Sequence, residues 1–358
     1  MLNWLRICKG SGQKASGMMV STRRFVISYA ILLAALVLVF LFNVGFGSAD
    51  IGAGEILSII FGKEGGSGDS SGYIIIQRIR LPRALASIAA GGALALAGLL
   101  LQTFFANPIV DSYVLGVSSG STLVVGFVML GGYAFGFRRL PPAALVSGAF
   151  LGAVLIMAVI LFAARRVKSI VTLLIIGLMC GYLCSAGTGI LSAFAEKEQI
   201  ARFSIWAMGN FSGITWPQLR VLYAFTLPLA AAAFLLGKPL NALNMGENYA
   251  VSMGINVKQL RGLIILISSL LTASVTAFAG PVSFIGLAVP HICRVLFRTQ
   301  DARILTPGVA LGGALMASLC DFVARTVVSP VELPLGSVTA LAGAPLVVWL
   351  LSRRRYES

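Results

Sequence analysis

Nine long stretches of this chain hold no Asp, Glu, Lys or Arg: 25–49, 84–110, 112–137, 140–164, 169–195, 221–237, 262–293, 304–320 and 333–352. A helix needs about 20 apolar residues to cross about 30 Å of hydrocarbon, and ionised side chains are strongly disfavoured at mid-membrane. With 358 residues, 58% hydrophobic and only 11% charged, the chain is far from the soluble norm of about 25% charged residues. The run 262–293 would make a single helix of about 48 Å, but it contains Gly280-Pro281, and proline removes a backbone donor. It therefore divides into 262–279 and 281–297, giving ten spans. The uncharged stretch 203–219, with Trp206, Gly209, Gly213 and Trp216-Pro217, reads as an interfacial segment. The expected fold is all-α: a polytopic membrane protein with ten transmembrane helices and both termini cytoplasmic.

The charges test that count. Ten spans with the N-terminus inside place 17 of the 27 basic residues on the cytoplasmic side, and after subtracting acids leave +13 inside and +2 outside. Basic residues do concentrate in cytoplasmic loops. Nine spans would export Arg353-Arg354-Arg355. The organisation that follows is a cytoplasmic segment 1–24, a membrane domain 25–352 and a cytoplasmic tail 353–358. The first uncharged run has 25 residues, longer than the 7–15-residue apolar core of a signal peptide, so the first helix is retained. The +15 surplus reports topology and contact with anionic lipid. No basic stretch interleaved with stacking aromatics supports nucleic-acid binding.

Enzyme signatures are weak. Gly116-Val-Ser118-Ser-Gly120 matches a nucleophile-elbow pattern, which requires a strand-to-helix turn and a partner histidine. Here it falls between helical spans, and His291 is the one histidine of the chain. Cys180 and Cys184 have no second cluster beside them, so they read as small packing residues. No P-loop and no H-E-x-x-H zinc motif occur. We therefore expect no catalytic residues and no metal site. Gly91, Ala95 and Gly98 fit the small-residue spacing that lets membrane helices approach closely. Transport is the natural class, and two energy sources stand. One is an ion gradient, although no span carries a central carboxylate. The other is ATP hydrolysed by a separate subunit.

The cytoplasmic loop 237–261 differs from the rest. Leu240, Leu243, Ala250 and Met253 lie at three-residue spacings around Gly246, which predicts two short helices joined at Gly246-Glu247, with Gly254 ending the second. Such helices lie on the membrane surface or in a partner's groove, and the residues leave both open.

Four segments carry a resemblance. They are Arg80-Leu-Pro-Arg83-Ala-Leu-Ala through Gln102 and Asn107-Pro108-Ile109 to Gly120; the Leu240-to-Gly254 loop; Gly280-Pro281 through Pro290-His291-Ile-Cys-Arg294; and Glu332-Leu-Pro334 through Pro345. In that order they resemble the FecCD family, permease subunits of binding-protein-dependent ABC importers for iron chelates, heme and cobalamin. The resemblance implies ten spans and a dimer with a second copy or a close paralogue. It implies two cytoplasmic ATPase subunits, which bind ATP and Mg so that this chain holds no cofactor, and an external substrate-binding protein. It further implies residue roles: Arg80, Arg83 and Arg325 for binding-protein docking; Leu240, Asn241, Leu243, Gly246, Glu247, Ala250 and Gly254 for ATPase coupling. The inner gate would comprise Asn107, Pro108 and Ile109, with isoleucine where relatives carry leucine, and Ser169, Ile170 and Val171 entering the fifth span. The location implied is the bacterial cell (inner) membrane and the cargo an iron chelate, ferric siderophore before heme or cobalamin.

Overall fold

A computed structural model describes residues 2–47, 71–113, 115–131, 142–167, 169–329 and 331–354. The expected flexible stretch 62–72 lies outside it up to residue 70, as do Lys63, Arg138, Arg139, Lys168 and residues 355–358. Among the described residues every regular element is helical. In chain order they are α1 (Leu2–Gly45), α2 (Ser71–Phe104), α3 (Val117–Gly131), α4 (Pro142–Arg166), α5 (Ile170–Ala193), α6 (Lys197–Ala207) and α7 (Trp216–Leu235). The remaining six are α8 (Gly237–Asn244), α9 (Glu247–Ser252), α10 (Val257–Ala279), α11 (Ile285–Phe297), α12 (Ala302–Thr326) and α13 (Leu335–Arg354).

Seven of these are long and apolar enough to cross a bilayer: α1 from Arg23, α2, α4, α5, α7, α10 and α12. The expected spans 112–137, 281–297 and 333–352 fall on shorter apolar helices, α3, α11 and the Leu335–Pro345 part of α13. The reasons are local. Residues 105–113 form a linker of turns around Asn107-Pro108 rather than helix, and α3 begins only at Val117. Gly280 closes α10 at φ 72, Phe284 follows in the left-handed region at φ 69, and α11 regains helix only at Ile285. Its 13 residues reach about 20 Å, short of the hydrocarbon thickness. The interfacial stretch before α7 holds the 11-residue α6, too short to cross, and ends where Thr215 and Gln218 cap α7 reciprocally.

The centre of the bundle is α2. Its Leu81–Phe104 portion is buried on nearly every side, and α12, α10, α11 and α7 pack around it. Lipid is as apolar as a leucine side chain, so close backbone approach rather than hydrophobic burial holds membrane helices together. Glycine permits that approach here. A Cβ on Gly91 would collide with the Gly313 carbonyl of α12, and one on Gly98 with the Gly286 carbonyl of α11. A second seam of the same kind joins Gly120 of α3 to Gly152 of α4. Hydroxyls add cross-links: Ser87 Oγ lies 3.0 Å from Ser318 Oγ, and Ser121 Oγ donates to Ala149 O at 2.7 Å.

One irregularity prepares the functional end of α2. Ile75–Arg80 is wound as a π-helix, and the Leu81 amide reaches back to Ile76 O. Pro82 follows, and its ring would press on the carbonyl four residues earlier in a regular helix. The wider turn relieves that clash and leaves both Arg80 and Arg83 buried.

Candidate functional site at the two ends of the central helix

Two polar clusters sit at opposite ends of α2. The first gathers all three arginines expected to dock a partner. Arg83 chelates Asp321 of α12, with Nε 3.1 Å from each carboxylate oxygen and Nη2 3.0 Å from Oδ1. Its Nη1 donates to Glu332 Oε1 at 2.7 Å. Arg80 Nη1 donates to the carbonyls of Val44 and Gly45, at 3.0 and 2.8 Å, capping the end of α1. Arg325 Nη2 donates to Asn43 O and, at 2.9 Å, to Asn43 Oδ1. Three guanidinium groups thus face two carboxylates and the carbonyl end of α1, which carries partial negative charge. Arg80, Arg83 and Arg325 are only 4%, 7% and 7% exposed. They tie α1, α2 and α12 together, and Glu332, with a side chain 44% exposed, is the open edge of the cluster.

At the other end, α2 stops in the expected gate turn. Ala106 adopts φ 46, the Asn107 amide donates to Gln102 O at 3.2 Å, and Asn107 Oδ1 accepts from the Ile109 amide at 3.0 Å. That side-chain turn is what asparagine before proline favours. Ile109 projects outward, 54% exposed. Further on, buried Asp111 accepts from the Ser112 amide at 2.7 Å and from Ser112 Oγ at 3.2 Å. Burial pushes its carboxyl up to about 6, against the opposing pull of the two Ser112 bonds. Ser169 caps α5, its Oγ accepting from the Thr172 amide at 3.3 Å, and Val171 is exposed. Among the described residues no hydrogen bond joins Ser169, Ile170 or Val171 to the 107–109 turn.

Gln102, one turn before the gate, was not among the expected site residues. Its Nε2 donates to Gly286 O and Leu287 O, both at 3.2 Å, and its Oε1 accepts from Arg294 Nη1 at 2.7 Å. The chemical reason lies in α11: Pro290 has no N–H, so the Gly286 carbonyl lacks its ordinary helical donor. Gln102 supplies that donor from the neighbouring helix. The signal was present in sequence as a glutamine in an otherwise apolar helix and a proline four residues after a glycine.

The 237–261 loop forms the two expected short helices, α8 and α9, with Gly246 at φ 117 between them and Gly254 at φ 79 after them. The expected partner-facing residues point both ways. Leu240 and Ala250 are fully buried and Leu243 packs against the core, so these three hold the loop to the body. Asn241 fastens α8 to α12, donating to Asp301 Oδ1 at 2.6 Å and accepting from the Ala302 amide at 2.7 Å. Glu247 of α9 pairs with Arg261 of α10 at 3.0 Å, and that guanidinium lies over the ring of Phe104, the last residue of α2. The outward apolar surface is made instead by Met245, Tyr249, Val251 and Met253. Between loop and gate lies a cavity of about 160 Å³ lined by Gln102, Asn107, Pro108, Asn244, Arg294 and Gln300. Loop and gate turn are thus two walls of one space. Among the described residues no three His, Cys, Asp or Glu side chains converge in a metal-holding arrangement.

An all-helical bundle of apolar spans, with an arginine cluster at one end and an outward loop beside the Asn107-Pro108 turn at the other, has the form of a membrane permease. Residues 35–353 match the FecCD transport family, and the chain belongs to it. It is 36% identical over 332 residues to the hemin transport system permease HmuU of Yersinia pestis, covering 91% of this chain and 97% of that protein. It is 37% identical over 284 residues to the vitamin B12 import system permease BtuC of Yersinia pseudotuberculosis, covering 79% and 83%. A solved metal-chelate-type ABC transporter in an inward-facing conformation superposes with a TM-score of 0.80 at 28% identity, over 91% of this chain and 99% of the other. The chain is an ABC importer permease subunit, and permeases of this kind are not themselves enzymes.

Proposed function

We propose that this chain forms the membrane path of an ATP-driven importer for an iron chelate, a ferric siderophore before heme or cobalamin, delivered by an external substrate-binding protein. Membership of an ABC permease family over nearly the whole chain is the observation that carries this reading, and the relatives give no support to an ion-gradient carrier. The ten apolar helices act as ten crossings with both termini cytoplasmic, which the +13 and +2 charge partition supports. Two copies line the path between them, and two ATPase subunits seat on the Met245, Tyr249, Val251 and Met253 face of α8–α9. The binding protein docks at the arginine end. Because Arg80, Arg83 and Arg325 are engaged internally, its carboxylates exchange with Glu332 first and reach Arg83 through the opening left.

The test is reconstitution in proteoliposomes with the cognate ATPase and binding protein, followed by uptake of a radiolabelled ferric siderophore, hemin or cobalamin. ATP-dependent uptake of one of them supports the reading and names the cargo. Uptake that needs no ATPase and is abolished by an ionophore overturns it.

A further inference from the structure

We propose that the groove between the end of α4 and the start of α10 is a binding site for one anionic phospholipid. The groove has a volume of about 510 Å³. Its rim carries Arg165, Lys258 and Arg261, and its floor is Leu161, Gly262 and Leu266. That pairing of a cationic rim with an apolar floor matches a phosphate headgroup followed by an acyl chain, and basic pockets between membrane helices bind acidic lipids for this reason. The charge balance is uneven. Arg261 is matched by Glu247, but among the described residues no ion pair reaches Arg165 or Lys258, so the rim retains two uncompensated cations. Leu263 of α10, which also lines the groove, is 46% exposed, so the apolar lining continues onto the outer surface of the bundle. The rim lies on the side where the basic surplus places the cytoplasm, at the leaflet whose acidic lipids attract such clusters.

Gly262 adds an independent sign that the floor is space and not packing. A Cβ built there meets no atom within 4 Å, although Gly262 is in the first turns of a helix that otherwise packs tightly. A side chain at this position would enter the groove without displacing protein. The lipid would also touch the coupling machinery. Arg261 forms part of the rim, holds Glu247 of α9 and covers Phe104 at the end of α2, so a headgroup there competes with Glu247 for the same guanidinium.

The experiment uses the full chain, purified, delipidated and titrated with phosphatidylglycerol or phosphatidylcholine, with bound lipid counted by native mass spectrometry. The unaltered protein should retain one phosphatidylglycerol far more strongly than any phosphatidylcholine. Arg165→Ala with Lys258→Ala should lower that affinity about 25-fold, about fivefold for each basic group withdrawn from an acidic headgroup. Gly262→Leu keeps every charge and places the better helix former in α10, so it should fold normally and still lose the lipid. Retention of phosphatidylglycerol by the double alanine variant overturns the site. Its retention by Gly262→Leu reduces the binding to surface charge and overturns the acyl groove. Displacement of the lipid by inorganic phosphate alone would show a free-anion site instead, and would also overturn the proposal.

Discussion

Gln102→Leu removes a side chain that mends a defect in a neighbouring helix, so its effect depends on whether the defect is present. The substitution keeps volume and deletes three hydrogen bonds. Leu287 O retains its helical donor, the amide of His291, so the bond to it is redundant. Gly286 O has no such donor because residue 290 is proline, and a buried acceptor left without a partner costs about 1–3 kcal/mol. The bond from Arg294 is charge-assisted and contributes about 1.5–3 kcal/mol; Arg294 faces the cavity beside the gate, so the lower figure applies. Together these give a destabilisation of about 3 kcal/mol. Pro290→Ala restores the amide that Gly286 O lacks. In that background Gln102→Leu should cost only the Arg294 bond, about 1.5 kcal/mol, leaving a coupling of about 1.5 kcal/mol between residues on different helices. Denaturant titration of the four proteins in identical micelles measures the cycle. Additivity within about 0.5 kcal/mol would refute the account of Gln102 as a substitute donor.

Glu332→Gln weakens the exposed hold on Arg83, so the binding protein should associate about fivefold faster at low salt; slower or unchanged association by surface plasmon resonance would count against guanidinium exchange. Gly246→Pro cannot adopt φ 117, because proline is held near −65°. The variant should insert normally and hydrolyse ATP while losing uptake, and preserved coupling in proteoliposomes would dismiss the loop. Asp111 titrates at about 6 in the folded chain against 3.8 unfolded. Protonation therefore favours the fold: the stabilisation is complete below about pH 4 and is lost as pH rises through about 6, by at most about 3 kcal/mol. Asp111→Asn should flatten thermal stability across that window, and an unchanged slope would disprove the assignment.

The helical class and the positions of most elements were legible because one physical rule, the cost of charge in hydrocarbon, acts on every residue of a span. Breaks were legible where the chain announces them with glycine, as at Gly246, Gly254 and Gly280-Pro281. The start of α3 and the length of α11 were not, since an uncharged run does not distinguish helix from apolar linker. Counting charge assigned the three arginines to one side, and the structure gathers them in one cluster. Their burial was invisible, because Arg83 meets Asp321 across 238 residues of chain, a separation that no local pattern encodes. The α8–α9 loop failed in a different way. The three-residue spacing correctly identified apolar positions, but Leu240, Leu243 and Ala250 turn inward, and of the four only Met253 joins the outward surface, beside Met245, Tyr249 and Val251.

The arrangement of α2 and α12 restricts how such a permease can move. One seam joins them from the arginine end inward: Arg83 on Asp321, Ser87 on Ser318, Gly91 on Gly313. At the last pair backbone meets backbone, and a slide of one helical turn, about 5.4 Å, would bring side chains into positions where no Cβ fits. Alanines 93 and 95 and the glycine pair leave no side chain long enough to rearrange around such a shift. At its other end α12 is fastened to α8 by Asn241. If the α8–α9 loop is pushed, the motion reaches the arginine cluster through a rigid pair, and we expect alternation to be accommodated elsewhere, between that pair and the α3–α4 pair, which is joined by its own seam at Gly120 and Gly152. Spin labels on α2 and α12 should keep their separation within about 2 Å between nucleotide-free and ATP-bound complexes, well below the one-turn step, while a label pair on α2 and α4 should shift by more than that. A change of about 5 Å between α2 and α12 would show that the glycine seam slides, and would remove the basis for treating the two helices as one moving part.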